Sequence, residues 1–465
     1  MQMLTSRRHV LTGLAGGVAA MAGGRTHAAT ARMAQPNFIV ILTDDMGYGD
    51  IGPMGGKTIA TPYLDKMARS GRVLTDYYAP ANTCTPSRAG MLTGRYAIRT
   101  GLNRPLLARD TAVLPRSETS IAKALRPQYA SAMIGKWHLG HSGPDWSPLN
   151  YGFDLFYGLP YSHDITPLSL CEDAGQGMRT VPFVHATLQQ QFCDRAERFI
   201  TDNRERPFFL NLSLSSPHLP NFPASSWAGK SHKAGAYGDS VMEIDAIVGR
   251  VLDCLSRNGI ERQSLVLFTS DNGPWFEGSP GGLRGRKGGS GFDGAYRVPF
   301  VAHMPGTVGR GRRDAIAMGI DLMPTFLAMA GLSPPPGLAM DGKDIGAVLK
   351  AGAPTPHDHL ILFNQDDVIG IRTQRWKYVA ADYYAGTLAL TDMRGYPGLY
   401  DMLAGPEDYS VASVHPAVAR GMRELFLAER ERFRPLRTNP TDPLADQERH
   451  HPAWVLPQPW RDWPQ

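Results

Sequence analysis

Acids, an amide, a lysine and histidines recur in this chain directly after short apolar runs, and one cysteine, Cys84, opens a separate polar motif. Asp44-Asp45 follows the run 37–43, and Gly135-Lys136-Trp137-His138 follows 129–134. Ser215-Ser216-Pro217-His218 follows 208–214, and Ser270-Asp271-Asn272-Gly273 follows 265–269. Taken singly, Asp-Asp is a common turn or helix cap and Asp-Asn-Gly a common turn. Taken together, Asp44, Asp45, Asp271 and Asn272 offer three carboxylates and an amide oxygen. That hard-oxygen set suits Ca2+ or Mg2+, with positions left for water or an anionic substrate. A cation would also let the carboxylates gather without mutual repulsion. Cys84-Thr85-Pro86-Ser87-Arg88 precedes a helical stretch reaching Arg95, and Pro86 suits the first turn, where its missing N–H costs nothing. Cys84 is then expected at a helix N-terminus, an electropositive place that favours an anion. A lone cysteine is otherwise most often buried and inert.

The apolar runs are the elements that must position this chemistry. They are short, continuous and separated by expected helices at 62–70, 117–125, 187–203 and 237–258, the pattern of parallel strands buried on both faces. Ligands of open α/β sheets bind beyond the carboxyl ends of the strands, which is where all four clusters fall. The expected fold class is α/β: a large, mostly parallel sheet flanked by helices over residues 36–355. After Ala351-Gly352-Ala353-Pro354 the pattern changes to short strands at 360–363, 369–373 and 376–380 and an amphipathic helix at 414–433. This predicts a smaller C-terminal α+β domain over 356–465, ending in an irregular Pro- and Trp-rich tail from Pro435.

The N-terminus reads as an address rather than as structure. Arg7-Arg8, an apolar stretch from Val10 to Ala22 and small residues near Ala28-Ala29 follow the plan of a signal peptide over 1–29. Ser6-Arg7-Arg8-His9-Val10-Leu11 is similar to a twin-arginine signal, which predicts export to a bacterial periplasm. The stretch is too short to span a bilayer comfortably, and no stable membrane insertion is expected. The chain carries a formal charge of +5, but residues 1–29 hold three arginines and no acid, so the remainder carries +2. That bias is too small to indicate a nucleic-acid partner. Four cysteines occur, and whether Cys171 and Cys193 pair is left open by the sequence.

The ordered series of motifs resembles the sulfatase family, and closely its arylsulfatase A branch. Cys84-x-Pro86-Ser87-Arg88 matches the motif read by a formylglycine-generating enzyme, and Gly94-Arg95 fits the extended signature. Asp44-Asp45 and Asp271-Asn272-Gly273 match the two metal pairs, and Lys136 with His138 a catalytic segment. Pro160-Tyr161-Ser162-His163-Asp164 resembles a sulfate-positioning segment, and His218 the later histidine. Leu283-Arg284-Gly285-Arg286-Lys287-Gly288 resembles the stretch whose lysine grips sulfate, and Leu399-Tyr400-Asp401 a C-terminal motif.

The resemblance implies an alkaline phosphatase-like fold and hydrolysis of sulfate monoesters on small molecules or glycans. It implies formylglycine made from Cys84 and one divalent metal, Ca2+ favoured over Mg2+, held by Asp44, Asp45, Asp271, Asn272 and residue 84. Arg88 would favour ionisation of the nucleophile, and His138 would act as base. His218 or Lys287 would be the general acid, and Lys136, Lys287, His218 and Ser162 would bind the sulfate. No role is assigned to His141, His163 or His185, though His163 and Asp164 could line the pocket, and Trp137 is expected in the core. The rival readings are a phosphodiesterase or phosphonate hydrolase of the same superfamily and an inactive sulfate-ester binding protein.

Overall fold

All seven residues of β1 (Asn37–Thr43) are buried, and alternate side chains go to opposite faces of the sheet. Phe38, Val40 and Leu42 enter one apolar cluster, whereas Ile39 and Ile41 enter another. Successive strand residues point to opposite sides, and here both sides are covered, as the uninterrupted apolar run requires. The computed structural model describes residues 35–288, 290–380 and 398–438. The signal expected over 1–29 and the tail beyond 438 lie outside the described residues.

The chain continues through β2 (Arg72–Leu74), β3 (Tyr77–Tyr78), β4 (Ala130–Lys136), β5 (Leu155–Leu159), β6 (Leu170–Asp173) and β7 (Arg179–Val181). β8 (Phe208–Ser213), β9 (Ser264–Ser270), β10 (Phe300–His303), β11 (Gly311–Arg313) and β12 (Ala317–Met318) follow. Ten of these form one sheet in the order β11-β2-β10-β9-β1-β8-β4-β5-β6-β7. The centre, β9-β1-β8-β4-β5, is parallel. Antiparallel pairings of β10 and of β6 with β7 flank it. The sheet is therefore the mostly parallel one expected, with short edge strands that carry no long apolar run.

Two local readings change. The helix expected at 117–125 is Ile121–Leu125, because Ser120 caps it by accepting the Lys123 N–H at 3.0 Å. Lys136 ends β4 instead of following it. The helices Pro62–Ser70, Leu188–Asp202 and Gly235–Arg257 lie close to their expected places. All four cysteines are free thiols, so Cys171 and Cys193 do not pair. Among the described residues no helix is long and apolar enough to cross a membrane.

Register brings the four strand ends level. Thr43 pairs with Ser270, Leu42 with Ser213, and Ser213 with Gly135. Gly135 has φ +107°, and a Cβ there would stand 1.8 Å from the Ser213 carbonyl oxygen. Only glycine allows β4 to lie this close to β8 just before Lys136.

The C-terminal part is an antiparallel sheet of β13 (Leu360–Asn364), β14 (Asp367–Arg372), β15 (Trp376–Val379) and β16 (Gly398–Asp401). The helix Pro416–Phe433 packs on it. Leu360, Ile371, Tyr378, Leu399 and Phe426 share one core with Tyr78, Tyr96 and Tyr296. A buried charge network crosses the same seam. Lys377 bridges Asp293 at 2.7 Å and Glu407 at 2.6 Å, and Glu407 accepts the Asp293 backbone N–H at 2.7 Å. Arg372 donates to Tyr78 and Asp76, each at 2.8 Å. Breaking a buried ion pair strands its partners without solvent or counter-charge. Lys377→Met is therefore expected to destabilise the protein by roughly 3–5 kcal/mol in denaturant titration, and adding Glu407→Gln should recover part of that loss. An unchanged unfolding midpoint for Lys377→Met would show that the network contributes nothing.

Candidate active site

Cys84 is the first residue of the helix Cys84–Thr93, which is buried at all ten positions. The helix sits under the strand ends because its side chains tie into them. Ser87 donates to the Asp271 carbonyl, and Thr85 donates to the His138 carbonyl at 3.0 Å. Arg88 donates through Nε to Asp271 Oδ2 at 2.9 Å and through Nη1 to the Lys136 carbonyl at 3.0 Å and to Ser213 Oγ. Its Nη2 lies 2.7 Å from Asp271 Oδ2 and 3.5 Å from Asp44 Oδ1. One guanidinium thus fastens the helix to β1, β4, β8 and β9, using the planar fork that distinguishes arginine from lysine.

Ligand oxygens of Asp44, Asp45 and Asp271 lie within 4.8 Å of one another, all buried. The Asp45 N–H donates to Asp271 Oδ1 at 3.2 Å, and Asn272 Nδ2 donates to Asp45 Oδ1 at 2.7 Å. Asn272 Oδ1 is buried and accepts no hydrogen bond. A buried amide oxygen without a donor is costly, and the three carboxylates beside it complete a donor set that a hard divalent cation satisfies. The residues present fit such an ion.

Cations face these acids. Lys136 Nζ donates to Asp44 Oδ2 at 2.5 Å, and Lys287 Nζ to Asp45 Oδ2 at 2.7 Å. Burial raises the Asp44 pKa, but Lys136, His218, Arg88 and Lys287 outweigh it and hold the carboxyl well below the usual range. Burial lowers that of Lys287, but Asp45 and then Asp44 outweigh it and keep the ammonium charged. Asp271 is pushed up to about 6 by burial, with Arg88 opposing and Asp44 adding to the rise. The three acids are balanced by Arg88, Lys136 and Lys287, so a divalent cation would leave the centre positive, as an anionic substrate needs. Burial also pushes the Cys84 thiol up against the pull of Lys136 and Lys287. Unmodified, it remains a protonated thiol.

The histidines differ in readiness. His138 Nε2 lies 2.9 Å from the Leu106 carbonyl, so that nitrogen carries the hydrogen, while Nδ1 is buried with no partner. Burial and then Lys136 hold its pKa well below the ordinary value. The neutral ring offers Nδ1 as a base. His218 Nδ1 lies 2.6 Å from the Leu219 carbonyl, and its Nε2 is 3.5 Å from Asp45 Oδ2. Ser162 is buried on the segment after β5, which runs beside the Lys136–His138 turn through His138 N–H to the Pro160 carbonyl at 3.1 Å. Among the described residues, three that are not glycine have positive φ, and two of them, Asp45 and His138, belong to the site. Such backbone is retained where surroundings over-determine it.

The structure thus gathers Cys84, Arg88, Asp44, Asp45, Asp271, Asn272, Lys136, His138, His218 and Lys287 at one sheet edge. Trp137 lies in the core against Tyr151 and Phe153. Sequence reasoning missed Ser213 and Asn82. Asn82 Nδ2 holds the Gly288 and Ser290 carbonyls of the Lys287 loop and reaches Asn364 Oδ1 at 3.0 Å. Ser213 carried one signal, a hydroxyl at the end of an apolar strand; Asn82 carried none.

A mostly parallel sheet with a buried cysteine, clustered carboxylates and opposing cations at its strand ends fits a hydrolase of anionic esters. Residues 36–332 match the family model described as Sulfatase. The chain is 34% identical over 444 residues to arylsulfatase A of Homo sapiens, covering 84% of this chain and 87% of that protein. It is 34% identical over 379 residues to arylsulfatase G of Homo sapiens, covering 71% of each. The crystal structure of a sulfatase from Pseudoalteromonas sp. superposes with a TM-score of 0.79 at 26% identity, covering 89% of this chain and 93% of that one. The chain belongs to the sulfatase family and is a sulfuric ester hydrolase.

Proposed function

We propose that this protein hydrolyses sulfate monoesters with Cys84, oxidised to formylglycine, as nucleophile beside one divalent cation, Ca2+ in preference to Mg2+. The observation that carries this reading is the convergence of a helix-opening cysteine, three carboxylates and three cations in one buried centre. A formylglycine-generating enzyme would read Cys84-x-Pro86-x-Arg88 during maturation. Asp44, Asp45, Asp271, the Asn272 amide oxygen and residue 84 would hold the cation, which when bound supplies positive charge favouring an ionised oxygen and an anionic ester. Arg88 keeps Asp44 and Asp271 in place and adds its own charge beside residue 84. Lys136, Lys287 and Ser162 bind sulfate oxygens as charge moves during transfer. His218, or Lys287, protonates the leaving oxygen. The hydrate of the aldehyde has two hydroxyls. One attacks sulfur, and the second loses its proton to His138 Nδ1 as the carbonyl reforms and sulfate leaves.

The mature protein is expected to turn over aryl sulfates in preference to aryl phosphate diesters and phosphonates; the opposite order would favour the phosphodiesterase reading. Substrates are sulfated small molecules or glycans. We also propose export by the twin-arginine route to a bacterial periplasm, on the Arg7-Arg8 signal. Replacing both arginines with lysine should retain the protein in the cytoplasm, and undiminished periplasmic delivery would overturn that address.

A further inference from the structure

An aromatic strip leads outward from His218. The His163 ring lies 5.7 Å from the His218 ring and nearly perpendicular to it. His163 in turn lies 6.1 Å from Phe222 and 6.4 Å from His185. His185 and Phe222 lie 4.5 Å apart, and Phe183 packs 5.4 Å from His185. The strip is graded: His163 is buried, His185 and Phe183 are half-buried, and Phe222 is 38% exposed.

Three separate segments supply it. His163 follows β5, Phe183 and His185 lie between β7 and the helix Leu188–Asp202, and Phe222 follows the Pro217–Pro220 turn that carries His218. His163 Nε2 is fixed on the Pro220 carbonyl at 2.9 Å, which ties the first segment to the third. Convergence of distant segments into a partly open aromatic surface beside a reactive group marks a binding surface better than scattered exposed rings do.

Electrostatics define what the strip accepts. Burial and the neighbouring His218 push the His163 pKa down to about 4, so this ring is neutral at neutral pH. Asp164, exposed and next in the chain, has a carboxyl whose rise on burial is outweighed by Ser162, His218 and Lys136. The strip therefore presents ring faces, which carry negative quadrupole charge, and the Asp164 carboxylate adjoins only its inner, His163 end. An anionic group laid on those ring faces is disfavoured.

Resting on the sulfatase reading, with His218 on the leaving-oxygen side, we propose that His185 and Phe222, backed by His163, form the leaving-group subsite. It takes a neutral ring, either a phenol or the apolar face of a pyranose, and disfavours uronate-bearing or multiply sulfated chains.

The test uses the full-length mature enzyme with Ca2+, assayed on 4-nitrophenyl sulfate, on a monosulfated neutral monosaccharide and on a monosulfated uronate-containing disaccharide. Inorganic sulfate, which occupies only the sulfate site, is the control inhibitor. Phe222→Ala and His185→Ala are each expected to lower kcat/KM on a neutral ring ester about tenfold, chiefly through KM. The inhibition constant for sulfate should stay within about twofold, and Phe222→Tyr should restore KM. The neutral ester that loses more identifies the ring as phenol or pyranose. Unchanged KM on both neutral esters, an equal loss of sulfate inhibition, or wild-type preference for the uronate-containing ester would each overturn the proposal while leaving the sulfatase reading intact. Mature protein that cleaves no sulfate ester would overturn both.

Discussion

Cys84→Ala protein is expected to lose activity on an aryl sulfate by roughly 10^4–10^6, the scale seen when an enzyme loses its nucleophile. Cys84→Ser separates the two halves of the proposed reaction. Its single hydroxyl can accept the sulfuryl group once, but no second hydroxyl on the same carbon can expel it. The serine variant should therefore stall as a sulfated serine, seen by peptide mass spectrometry as one added sulfuryl group on residue 84. An unmodified Cys84 protein should also be inactive, because burial keeps its thiol protonated. A fully active preparation whose residue 84 is entirely unmodified cysteine would falsify the nucleophile assignment and the mechanism together.

Removal of divalent cations should likewise reduce turnover to background, with recovery on adding Ca2+ and weaker recovery with Mg2+. Asp44, Asp45 and Asp271 share one buried place with an amide oxygen that accepts no hydrogen bond. Lys136 and Lys287 rest on two of those carboxylates. A divalent ion on those carboxylates would add the positive charge that an anionic ester needs beside Lys136 and Lys287. Asp45→Asn should match the chelated protein in activity and resist rescue by added Ca2+. Full activity in protein shown by elemental analysis to be metal-free would defeat the assignment.

The central strands were legible because burial on both faces demands unbroken apolar runs, as in β1 and β9, and chemistry that follows such a run falls at the sheet edge. The edge strands were not, since β7 and β11 are only three residues long and, Val181 aside, exposed. Within the site, Asp44, Lys136 and Asp271 could be placed from the strand ends alone. Lys287 could not: its loop is rich in glycine and has no periodicity, so only the family resemblance pointed to it. Asn82, Ser213, Lys377 and Glu407 act across long sequence separations, and their roles emerge only once register and packing bring their partners together. His163 was given no role because a lone histidine carries no spacing signal. Its nearness to His218 depends on the turn through Pro220.

The burial of Cys84 imposes a chronology. Cys84 is 3% exposed, and Arg88, part of the motif that the proposed modifying enzyme would read, is 2% exposed. Arg88 is also held by Asp271, Ser213 and the Lys136 carbonyl. A finished fold presents nothing there to hold. On the proposed maturation, oxidation must act on the chain while this segment is still open, before β1, β4 and β9 close over it. If the proposed twin-arginine route, which carries folded chains, is the one used, the chemistry at residue 84 would be completed before departure. Protein retained inside by the Arg7→Lys, Arg8→Lys change should already bear the aldehyde, whereas a free thiol there would place oxidation after transit. On this schedule the proposed export would deliver a catalyst already equipped.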